Sequence, residues 1–456
     1  MDKSARYYQG CNEALLLAVP AEARTILEVG CGEGILGGRL KAANSKATVF
    51  GIEREVEVAV CARQRLDQVF TLDLQDEDPP LESASLDCIL FGDVLEHLIE
   101  PDEVLLRYRR FLKPHGIVLC SIPNVQHHSI VQALVKGDFQ YTPDGLLDAT
   151  HLRFFTYSTI IKLLLDVGLA PSIISTIRAA CPQPFLAALQ PLLDYLGMDT
   201  GRTAHYLSVY QYIVRGTPLP DFNSDCQESE EERDRPLSFV ACVSNQATLE
   251  ANLLRSPCLA PDGPHELLLM RGCASAAEGL NRGIERAMNS VVVCLHQDVY
   301  LPRGWARRFW RKYDQAREEF GKVGVFGVYG VRCQNGTVAR AGHVVDRDRL
   351  LQEKIPLPAT VDTLDELLLA LPKGSPLRFD PGLGFHFYGA DVCLTAREQG
   401  LRAAVVDSLC YHNSPHVGLG ADFYESARTF ATKWSRRLPV ATSCVLMQPS
   451  GPIDLI

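Results

Sequence analysis

Short apolar runs alternate with amphipathic stretches through the first half of the chain. The runs TILEVG, ATVFGIE, LDCILFGD and GIVLCSIP begin at residues 25, 47, 86 and 116. Such runs are typical of buried strands, and the stretches between them carry apolar residues at helical spacing. This alternation predicts a parallel sheet that is covered by helices, as in an α/β domain.

One of the predicted crossover helices covers residues 101–113. Its apolar residues recur at helical spacing: Val104, Leu105, Tyr108, Phe111 and Leu112. Pro101 stands at its start and Gly116 beyond its end. Proline in the first turn and glycine past the last are common at helix termini, so the pattern predicts a helix of this span.

The second half opens with the same alternation and becomes irregular later. The runs SFVACVS, HELLLM and VVVCLHQDV begin at residues 238, 265 and 291, and VGVFGVYGV begins at residue 323. A helix is predicted over residues 279–288. We therefore expect an α/β sheet that continues into mixed strands. Asp362 and Asp365 precede the run LLLAL, where they are expected to cap a helix or to border a substrate site.

A polar segment separates the two halves. Residues 216–236 read GTPLPDFNSDCQESEEERDRP, in which prolines give way to a charged run with few apolar residues. This composition is typical of a linker. Because 456 residues are many for a single core, we predict one domain over residues 1–215 and another over residues 237–456.

Composition places the chain among soluble globular proteins, with 46% hydrophobic and 22% charged residues. A formal net charge of -10 argues against nucleic acid as a partner. The fifteen cysteines include no C-x-x-C pair, so we expect reduced thiols instead of disulfides or a zinc cluster. No run approaches the roughly 18 apolar residues of a membrane span. A cytoplasmic location is predicted, and peripheral membrane contact stays open.

The turn after the first predicted strand is rich in glycine. Gly30, Gly32 and Gly34 follow TILEV directly. Glycine lets the backbone approach a ligand, and the helix predicted to follow offers free N–H groups, so a nucleotide-like cofactor is expected here. Residues 32–37 also satisfy the G-x-G-x-x-G pattern of NAD sites. That fingerprint starts at the glycine that ends the strand, however, and counting from Gly30 leaves Ile35 in place of the third glycine.

These residues resemble the first motif of the class I methyltransferases that use S-adenosylmethionine (SAM). The resemblance extends over about residues 20–215 and implies a Rossmann-like fold. It implies that SAM is bound by Glu28, Gly30, Gly32, Gly34, Glu53, Asp73, Leu74, Asp93 and Val94. In that family the acid after the second strand accepts both ribose hydroxyls, the role implied for Glu53. An acid near Asp73 meets the adenine amine.

Two histidines are candidate bases for methyl transfer. His97 follows the fourth predicted strand, and His151 lies in a polar and aromatic segment, residues 137–156. Transfer to a hydroxyl needs an in-line approach and a base. The segment resembles a stretch of methyltransferases from glycan-building systems, which implies a sugar or glycan hydroxyl as the acceptor. A structural cap is the alternative for this segment, and surface positions are the alternative for Glu96 and His97.

Three polar clusters mark the second half. Asp298 follows His296 and Gln297 at the end of a buried run, Asp391 lies in GFHFYGAD, and His412 ends a later strand. An acid at the carboxyl end of a strand is where a metal-bound diphosphate is expected. Each residue also has a structural interpretation: Asp298 as a turn acid, Asp391 as a helix N-cap and His412 as a buried histidine.

Together these clusters resemble the GT-A glycosyltransferases of the family-2 type over about residues 237–440. The resemblance implies a nucleotide-sugar donor and a divalent cation, Mg²⁺ or Mn²⁺, held by Asp298 and His412. Asp391 is the implied base for inverting transfer. His296 replaces the first acid of the family's D-x-D motif. The implied nucleotide-sugar contacts are Ser244, Asn245, Asn281 and Asp298.

The sequence thus predicts a bifunctional enzyme of glycan biosynthesis. One half would methylate with SAM, and the other would transfer a sugar to a glycan or glycolipid acceptor. Joining the two keeps both reactions at high effective concentration on one acceptor. Two alternatives stay open: a chain in which only one half is catalytic and the other binds, and a scaffold whose halves bind SAM and a sugar nucleotide without turnover.

Overall fold

The computed structural model describes residues 8–222, 235–334, 337–414 and 420–455. The chain divides into two compact units, Met1–Pro220 and Asp221–Ile456. Residues 223–234 of the predicted linker lie outside the described residues. The first residues of that linker belong to a strand that ends at Pro218 and pairs with Leu169 and its neighbours, so the sheet extends beyond the predicted domain end at residue 215.

The first unit is built on one sheet with helices between its strands. The strands are β1 (Thr25–Val29), β2 (Thr48–Ile52), β3 (Gln68–Phe70), β4 (Leu86–Gly92), β5 (Leu112–Pro123), β6 (Leu169–Arg178) and β7 (Val209–Pro218). The α-helices are α1 (Glu13–Ala18), α2 (Ile35–Ala43), α3 (Val56–Ala62), α4 (Pro101–Arg109), α5 (His128–Val135), α6 (Tyr157–Asp166), α7 (Gln183–Leu196) and α8 (Thr200–Ser208). A 3-10 helix covers Leu95–His97.

The strand order of this sheet is β3-β2-β1-β4-β5-β7-β6. Strands β1 to β5 pair in parallel, whereas β7 is antiparallel to β5 and β6. The order reverses between β1 and β4, because β2 lies on one side of β1 and β4 on the other. Open α/β sheets bind ligands at such a switch point, outside the carboxyl ends of the strands.

Helix α4 is shorter than the sequence predicts. It ends at Arg109, because Leu112 already pairs with Leu86 in the sheet. Phe111, which the helical pattern included, packs on Tyr108 at the helix end with 5.9 Å between ring centroids. The helix and the strand that follows both present apolar residues to the core, so periodicity alone does not separate them.

The described residues of the second unit form three sheets. The strands are β8 (Ser238–Val243), β9 (Glu266–Arg271), β10 (Val291–Leu295), β11 (Val299–Tyr300), β12 (Val323–Gly327), β13 (Tyr329–Gln334), β14 (Thr337–Asp346), β15 (Arg349–Gln352), β16 (Ala359–Val361), β17 (Thr363–Leu364), β18 (Leu368–Pro372), β19 (Arg402–Val405), β20 (Tyr411–His412), β21 (Val440–Ala441), β22 (Val445–Gln448) and β23 (Gly451–Asp454). The α-helices are α9 (Gln246–Ala251), α10 (Ala276–Arg286), α11 (Trp305–Phe320), α12 (Tyr388–Glu398) and α13 (Ala421–Lys433). Across the described parts of the chain, no helix is both long and apolar enough to cross a membrane.

The main sheet of the second unit has the order β16-β19-β12-β18-β10-β8-β9. Strands β8, β9 and β10 are parallel, and β18 is antiparallel to its neighbours β10 and β12. A second sheet has the order β11-β20-β14-β13-β17, with β15 on β14, and β21, β22 and β23 form the third. The predicted α/β fold with mixed strands later in the chain is confirmed.

The prediction of a helix after Asp365 is wrong. The run LLLAL forms β18 in the centre of the main sheet, where Leu368, Leu369 and Ala370 are fully buried. A strand that is covered on both faces carries a continuous apolar run, which periodicity does not distinguish from a buried helix. Asp365 instead accepts a hydrogen bond from Leu367 N at 2.9 Å, and Asp362 pairs with Arg397.

Candidate active sites

The glycine-rich turn lies between β1 and α2, at the switch point of the first sheet. The φ angles of Gly30, Gly32 and Gly34 are +65°, +53° and +75°, in the left-handed region that glycine adopts without strain. A Cβ atom on Gly30 would lie 2.7 Å from Val94 Cγ2. A Cβ atom on Gly32 would lie 2.7 Å from Tyr8 O. This turn therefore requires glycine both for its backbone conformation and for its close contacts.

Glu53 follows β2 and reaches the same turn. Its Oε2 accepts a hydrogen bond from Gly32 N, and its Oε1 accepts one from Glu55 N, both at 2.9 Å. Burial raises the pKa of Glu53, and these N–H groups counteract part of that effect. Each carboxylate oxygen can accept more than one hydrogen bond, so the side chain retains acceptor capacity for a ligand.

Glu28 of β1 contacts helix α2. Its Oε2 accepts a hydrogen bond from Gly37 N at 3.0 Å. This N–H belongs to the first turn of α2, where backbone donors have no partner within the helix. Burial raises the pKa of Glu28 to about 8. The contact gives Glu28 a role in positioning α2, whereas the sequence predicts a cofactor contact for it.

Asp73 and Leu74 lie in the loop after β3, at the same edge of the sheet. Asp73 Oδ1 accepts a hydrogen bond from Gln75 N at 3.0 Å, which stabilises a tight turn. Arg107 of α4 donates a hydrogen bond to Leu74 O, which ties the loop to that helix. Both residues are partly exposed. The loop therefore follows the carboxyl end of β3, which neighbours β2 in the sheet, and the adenine contact stays a prediction.

Asp93 and Val94 follow β4. Asp93 has a φ of +55°, which is uncommon for a residue with a side chain. Its N–H donates to Ser121 Oγ at 3.0 Å, and its carboxylate accepts a hydrogen bond from Gln211. The N-cap position of the following 3-10 helix is Val94, so Asp93 precedes the cap of this helix. Neighbouring strands hold Asp93 in place instead.

Glu96, His97 and His151 lie together beside this loop. One ligand atom of each residue lies within 4.8 Å of those of the other two. The two imidazole rings meet edge to face, with 4.8 Å between their centroids. His97 Nδ1 lies 3.1 Å from Thr150 O, and His151 Nδ1 lies 3.2 Å from Leu146 O. The two histidines predicted as bases are thus neighbours in the structure.

Glu96 is not the surface residue that one interpretation of the sequence allows, since it is 1% exposed. Its Oε2 is buried and has no hydrogen-bond partner among the described residues. Burial raises the pKa of Glu96 well above its ordinary value, and the negative charges of Asp93 and Asp148 add to this effect. Buried polar atoms without a partner are rare in native proteins, so Oε2 calls for an explanation.

Aromatic side chains of the segment 137–156 connect this cluster to the surface. The ring of Phe154 lies 6.4 Å from that of His151, measured between centroids. Phe139 and Tyr141 lie 6.0 and 6.5 Å from Phe154 and are 41% and 56% exposed. The segment predicted to bind the acceptor therefore presents an aromatic surface next to the two histidines.

In the second unit, strand register assembles the cluster around Asp298. This residue lies between β10 and β11, and the next residue, Val299, pairs with His412 of β20. Strand β14 runs parallel to β20 and places Asp346 opposite His412. Residues far apart in the sequence are thereby brought together at the carboxyl end of β10.

His296 Nδ1, Asp298 Oδ1 and His412 Nε2 form a triangle. Its sides are 3.9 Å between His296 and Asp298, 3.4 Å between His412 and Asp298, and 3.5 Å between the histidines. Three ligands around one ion with bonds of about 2.0–2.2 Å lie roughly 3.3–3.8 Å apart. The sequence predicts metal contacts of Asp298 and His412, and the structure adds His296 to them.

Further contacts orient the two imidazoles. His412 Nδ1 lies 2.8 Å from Asp346 Oδ1, and His296 Nε2 lies 3.0 Å from Tyr388 Oη. Burial alone would lower the pKa of His412, but the carboxylates of Asp298 and Asp346 raise it to about 10. Burial likewise disfavours the Asp298 anion, yet the His412 cation holds the pKa of Asp298 well below its ordinary value. The two residues form an ion pair.

Asp391 lies in the first turn of α12 and is 1% exposed. Its Oδ1 accepts hydrogen bonds from Lys433 Nζ at 2.7 Å and Trp434 Nε1 at 2.8 Å. Burial raises the pKa of Asp391, and these two donors offset part of the increase. The N-cap of α12 is Phe387, so the N-cap interpretation of Asp391 is wrong. The sequence predicts neither Lys433 nor Trp434 as a site residue.

Ser244 and Asn245 follow β8 and are held next to Asp298 by Gln297. The Oε1 atom of Gln297 accepts hydrogen bonds from both backbone N–H groups at 3.0 Å, and its Nε2 donates to Ser244 Oγ at 2.8 Å. The side chain of Asn245 caps α9 by accepting a hydrogen bond from Thr248 N at 3.0 Å. The predicted nucleotide contacts therefore border the turn that carries Asp298.

Asn281 of α10 binds the backbone of Phe379. Its Nδ2 donates to Phe379 O at 2.8 Å, and its Oδ1 accepts a hydrogen bond from Phe379 N at 3.0 Å. This pair of bonds ties α10 to the segment that leads into α12. The position of Asn281 is thus explained by the fold without a ligand, whereas the sequence predicts a nucleotide contact.

Comparison with known proteins identifies both units. A family model described as a methyltransferase domain matches residues 4–172, and a model described as a glycosyltransferase-like family matches residues 238–433. A 37.1 kDa protein in a transposon of Streptomyces fradiae is 33% identical over 125 residues, 26% of this chain and 36% of that protein. The ubiquinone biosynthesis O-methyltransferase of Cereibacter sphaeroides (strain ATCC 17025) is 28% identical over 159 residues, 34% of this chain and 63% of that enzyme.

The chain thus covers less than two thirds of the length of either relative. A solved SAM-dependent methyltransferase from Archaeoglobus fulgidus is 14% identical, with a TM-score of 0.33, and the match covers 46% of this chain and 96% of that one. The family matches confirm both resemblances predicted from the motifs. One family match falls in each unit, so the chain is similar to methyltransferases over residues 4–172 and to glycosyltransferase-like proteins over residues 238–433.

Proposed function

We propose that the chain is a bifunctional enzyme of glycan biosynthesis. Its first unit would methylate a sugar or glycan hydroxyl with SAM, and its second would transfer a sugar from a nucleotide-sugar donor to a glycan or glycolipid acceptor with inversion. The observation that carries the proposal is a cluster of one carboxylate and two histidines in each unit, next to the carboxyl end of a central strand. Open α/β sheets bind their ligands at such ends.

The turn at Gly30 to Gly34 is the proposed SAM site because it lies at the switch point of the first sheet and leads into the N-terminus of α2. Glu53 would accept the hydrogen bonds of the two ribose hydroxyls, and the loops at Asp73 and Asp93 would border the adenine and methionine parts. Bound SAM supplies a methyl group on a sulfonium. On the acceptor side, His97 and His151 would receive a hydroxyl proton beside the aromatic surface of the segment 137–156.

In the second unit, the triangle of His296, Asp298 and His412 fits a divalent cation, and its Asp298 carboxylate is buried. A cation held there supplies positive charge for a nucleotide diphosphate. Asp391 is the proposed base, since a carboxylate whose pKa is raised accepts a hydroxyl proton more readily.

Mass spectrometry tests both activities. The full chain is incubated with SAM, nucleotide sugars and candidate oligosaccharide or glycolipid acceptors, and products are searched for mass gains of a methyl group and of a sugar. Glu53→Ala should weaken SAM binding, measured by calorimetry, by on the order of 100-fold while sugar transfer continues. Asp391→Asn should stop sugar transfer while SAM binding is unchanged. A mass gain of only a methyl group or only a sugar would indicate that a single half is active. A non-catalytic scaffold would give neither mass gain.

A further inference from the structure

We propose that Glu96, His97 and His151 form a metal site of the first unit that takes a divalent ion of the zinc or manganese class. One ligand atom of each residue lies within 4.8 Å of the others, a spacing that small side-chain rotations close around an ion. Two imidazoles and one carboxylate are a known zinc ligand set, in which the remaining coordination position stays open for water or substrate.

The same ring nitrogen, Nδ1, makes the hydrogen bonds of both histidines to the protein. Thr150 donates its hydroxyl proton to Asp148 Oδ1 at 2.8 Å, so its oxygen accepts from His97 Nδ1 at 3.1 Å. His151 Nδ1 donates to the carbonyl of Leu146. With the proton on Nδ1, each ring carries its lone pair on Nε2, the state that a metal ion requires. Carbonyl and carboxylate partners of this kind commonly orient metal-binding histidines.

Glu96 supplies the second observation. Its carboxylate is buried, and Oε2 has no hydrogen-bond partner among the described residues, so a bound cation would satisfy it. The backbone also holds the cluster together. Glu96 O accepts hydrogen bonds from Leu152 N at 2.7 Å and Arg153 N at 3.0 Å, which fixes the neighbouring His151 against the 3-10 helix of Glu96 and His97.

The place of the site indicates what the ion would do. It follows the loop of Asp93 and Val94 on one side and adjoins the aromatic surface of Phe139, Tyr141 and Phe154 on the other. An acceptor hydroxyl bound at the open position would be oriented there and would lose its proton more readily. His97 and His151 would then be ligands instead of bases. This use of the ion rests on the proposed methyl transfer, whereas ion binding does not.

Cobalt binding tests the site. The full chain is stripped with a chelator, and the Asp298→Asn variant is used so that the cluster of the second unit does not compete. Titration with Co²⁺ should reveal one bound equivalent with the visible absorption of histidine-ligated cobalt. Adding Glu96→Gln or His151→Gln should weaken this binding by about 100-fold or more. His115→Gln, at an exposed histidine of the same unit, serves as the matched control and should change nothing.

SAM binding, measured by calorimetry in each variant, shows whether the first unit remains folded. The proposal would be overturned if the Asp298→Asn protein did not bind Co²⁺, or if all variants bound Co²⁺ with equal affinity. The first of these outcomes is measured with the residues of the first cluster unchanged. Methyl transfer that persists after Co²⁺ binding is lost would refute the use of the ion. A site that binds Co²⁺ in a protein that methylates no acceptor would leave the metal site standing and the proposed function refuted.

Discussion

The two clusters contain the same residue types, one carboxylate and two histidines, but differ in charge. In the first unit, both imidazoles donate to backbone carbonyls, and burial together with the charges of Asp93 and Asp148 raises the pKa of the Glu96 carboxyl. In the second unit, the carboxylates of Asp298 and Asp346 together keep the imidazole of His412 protonated, and this cation lowers the pKa of Asp298. The charges around each histidine therefore decide which state the carboxylate of the cluster adopts.

This difference has a consequence for ligand binding. A metal ion entering the first cluster would displace a proton from Glu96, whereas one entering the second would displace a proton from His412. Metal affinity rises with pH in both cases, because the ion and the proton compete for the same atom. The proton lies on a different ligand in each cluster. Substituting the residues that hydrogen-bond the histidines should therefore change metal affinity by different amounts in the two clusters.

The largest effect is expected from Asp298→Asn. The amide lacks the negative charge that attracts a cation and that keeps His412 protonated, so sugar transfer should fall by about 10³-fold. Initial rates of sugar transfer measure the loss, and methyl transfer by the same preparation is the internal control. A parallel loss of both activities would show that the two clusters are not independent.

A smaller effect, on Co²⁺ affinity, is expected from substituting the carboxylates that orient the histidines. Asp346→Asn removes the direct partner of His412 and should weaken Co²⁺ binding at the second cluster by about 10- to 100-fold. Asp148→Asn acts on His97 through the Thr150 hydroxyl and should weaken Co²⁺ binding at the first cluster by less than about 10-fold. Equal losses would contradict the distinction drawn between the clusters.

The ion pair of the second unit should make its stability dependent on pH. The pKa of His412 is raised to about 10 from its ordinary value of 6.5. Its stabilising contribution is therefore complete below pH 6.5 and is lost as the pH rises toward 10, by roughly 1.4 kcal/mol for each pH step in that window.

Denaturant unfolding with chelator present measures this contribution as the difference between wild type and His412→Gln at several pH values. The three tryptophans, Trp305, Trp310 and Trp434, all belong to the second unit, so their fluorescence follows that unit alone. A difference that stays constant between pH 7 and pH 9 would mean that His412 is neutral in the folded state.

The smallest effect is expected at Asp391, where the neighbouring charge that sets the pKa of the carboxyl belongs to a lysine. Lys433 lowers the pKa of Asp391, so Lys433→Met should raise that pKa further and move the acid limb of the pH profile of sugar transfer to higher pH. The rate at neutral pH should fall only a few-fold. Arg437→Met, which removes an exposed cation beside Glu398, is the matched control. Lower activity without a shifted limb would assign Lys433 a purely structural role.

The sequence predicted what local patterns determine. The apolar runs at residues 25, 86 and 291 became β1, β4 and β10, because long buried runs bounded by polar residues have few alternatives. It failed at the run LLLAL, where a central strand and a buried helix have the same apolar composition. Strand register has no comparable local signal, so the pairing that brings Asp346 to His412 could not be predicted.

The candidate sites divide in the same way. The glycine turn and Glu53 lie close together in the sequence and were predicted together. Lys433 and Trp434 contact Asp391 from another helix, and Tyr388 contacts His296 across 92 positions. A side chain that orients a distant residue carries no motif of its own. The sequence does not determine the burial of Glu96 for a different reason, since that burial depends on how Leu152 and Arg153 fold back onto the 3-10 helix.

The sequence separation between the residues of each cluster affects the order in which the two clusters form. His97 and its partner Thr150 are 53 positions apart, whereas His296 and His412 are 116 positions apart and need three strands of a separate sheet in register. Longer loops cost more entropy to close, and non-local strand pairing is slow. The second cluster is therefore expected to be among the last features of its unit to form, so metal binding there would report a completely folded domain.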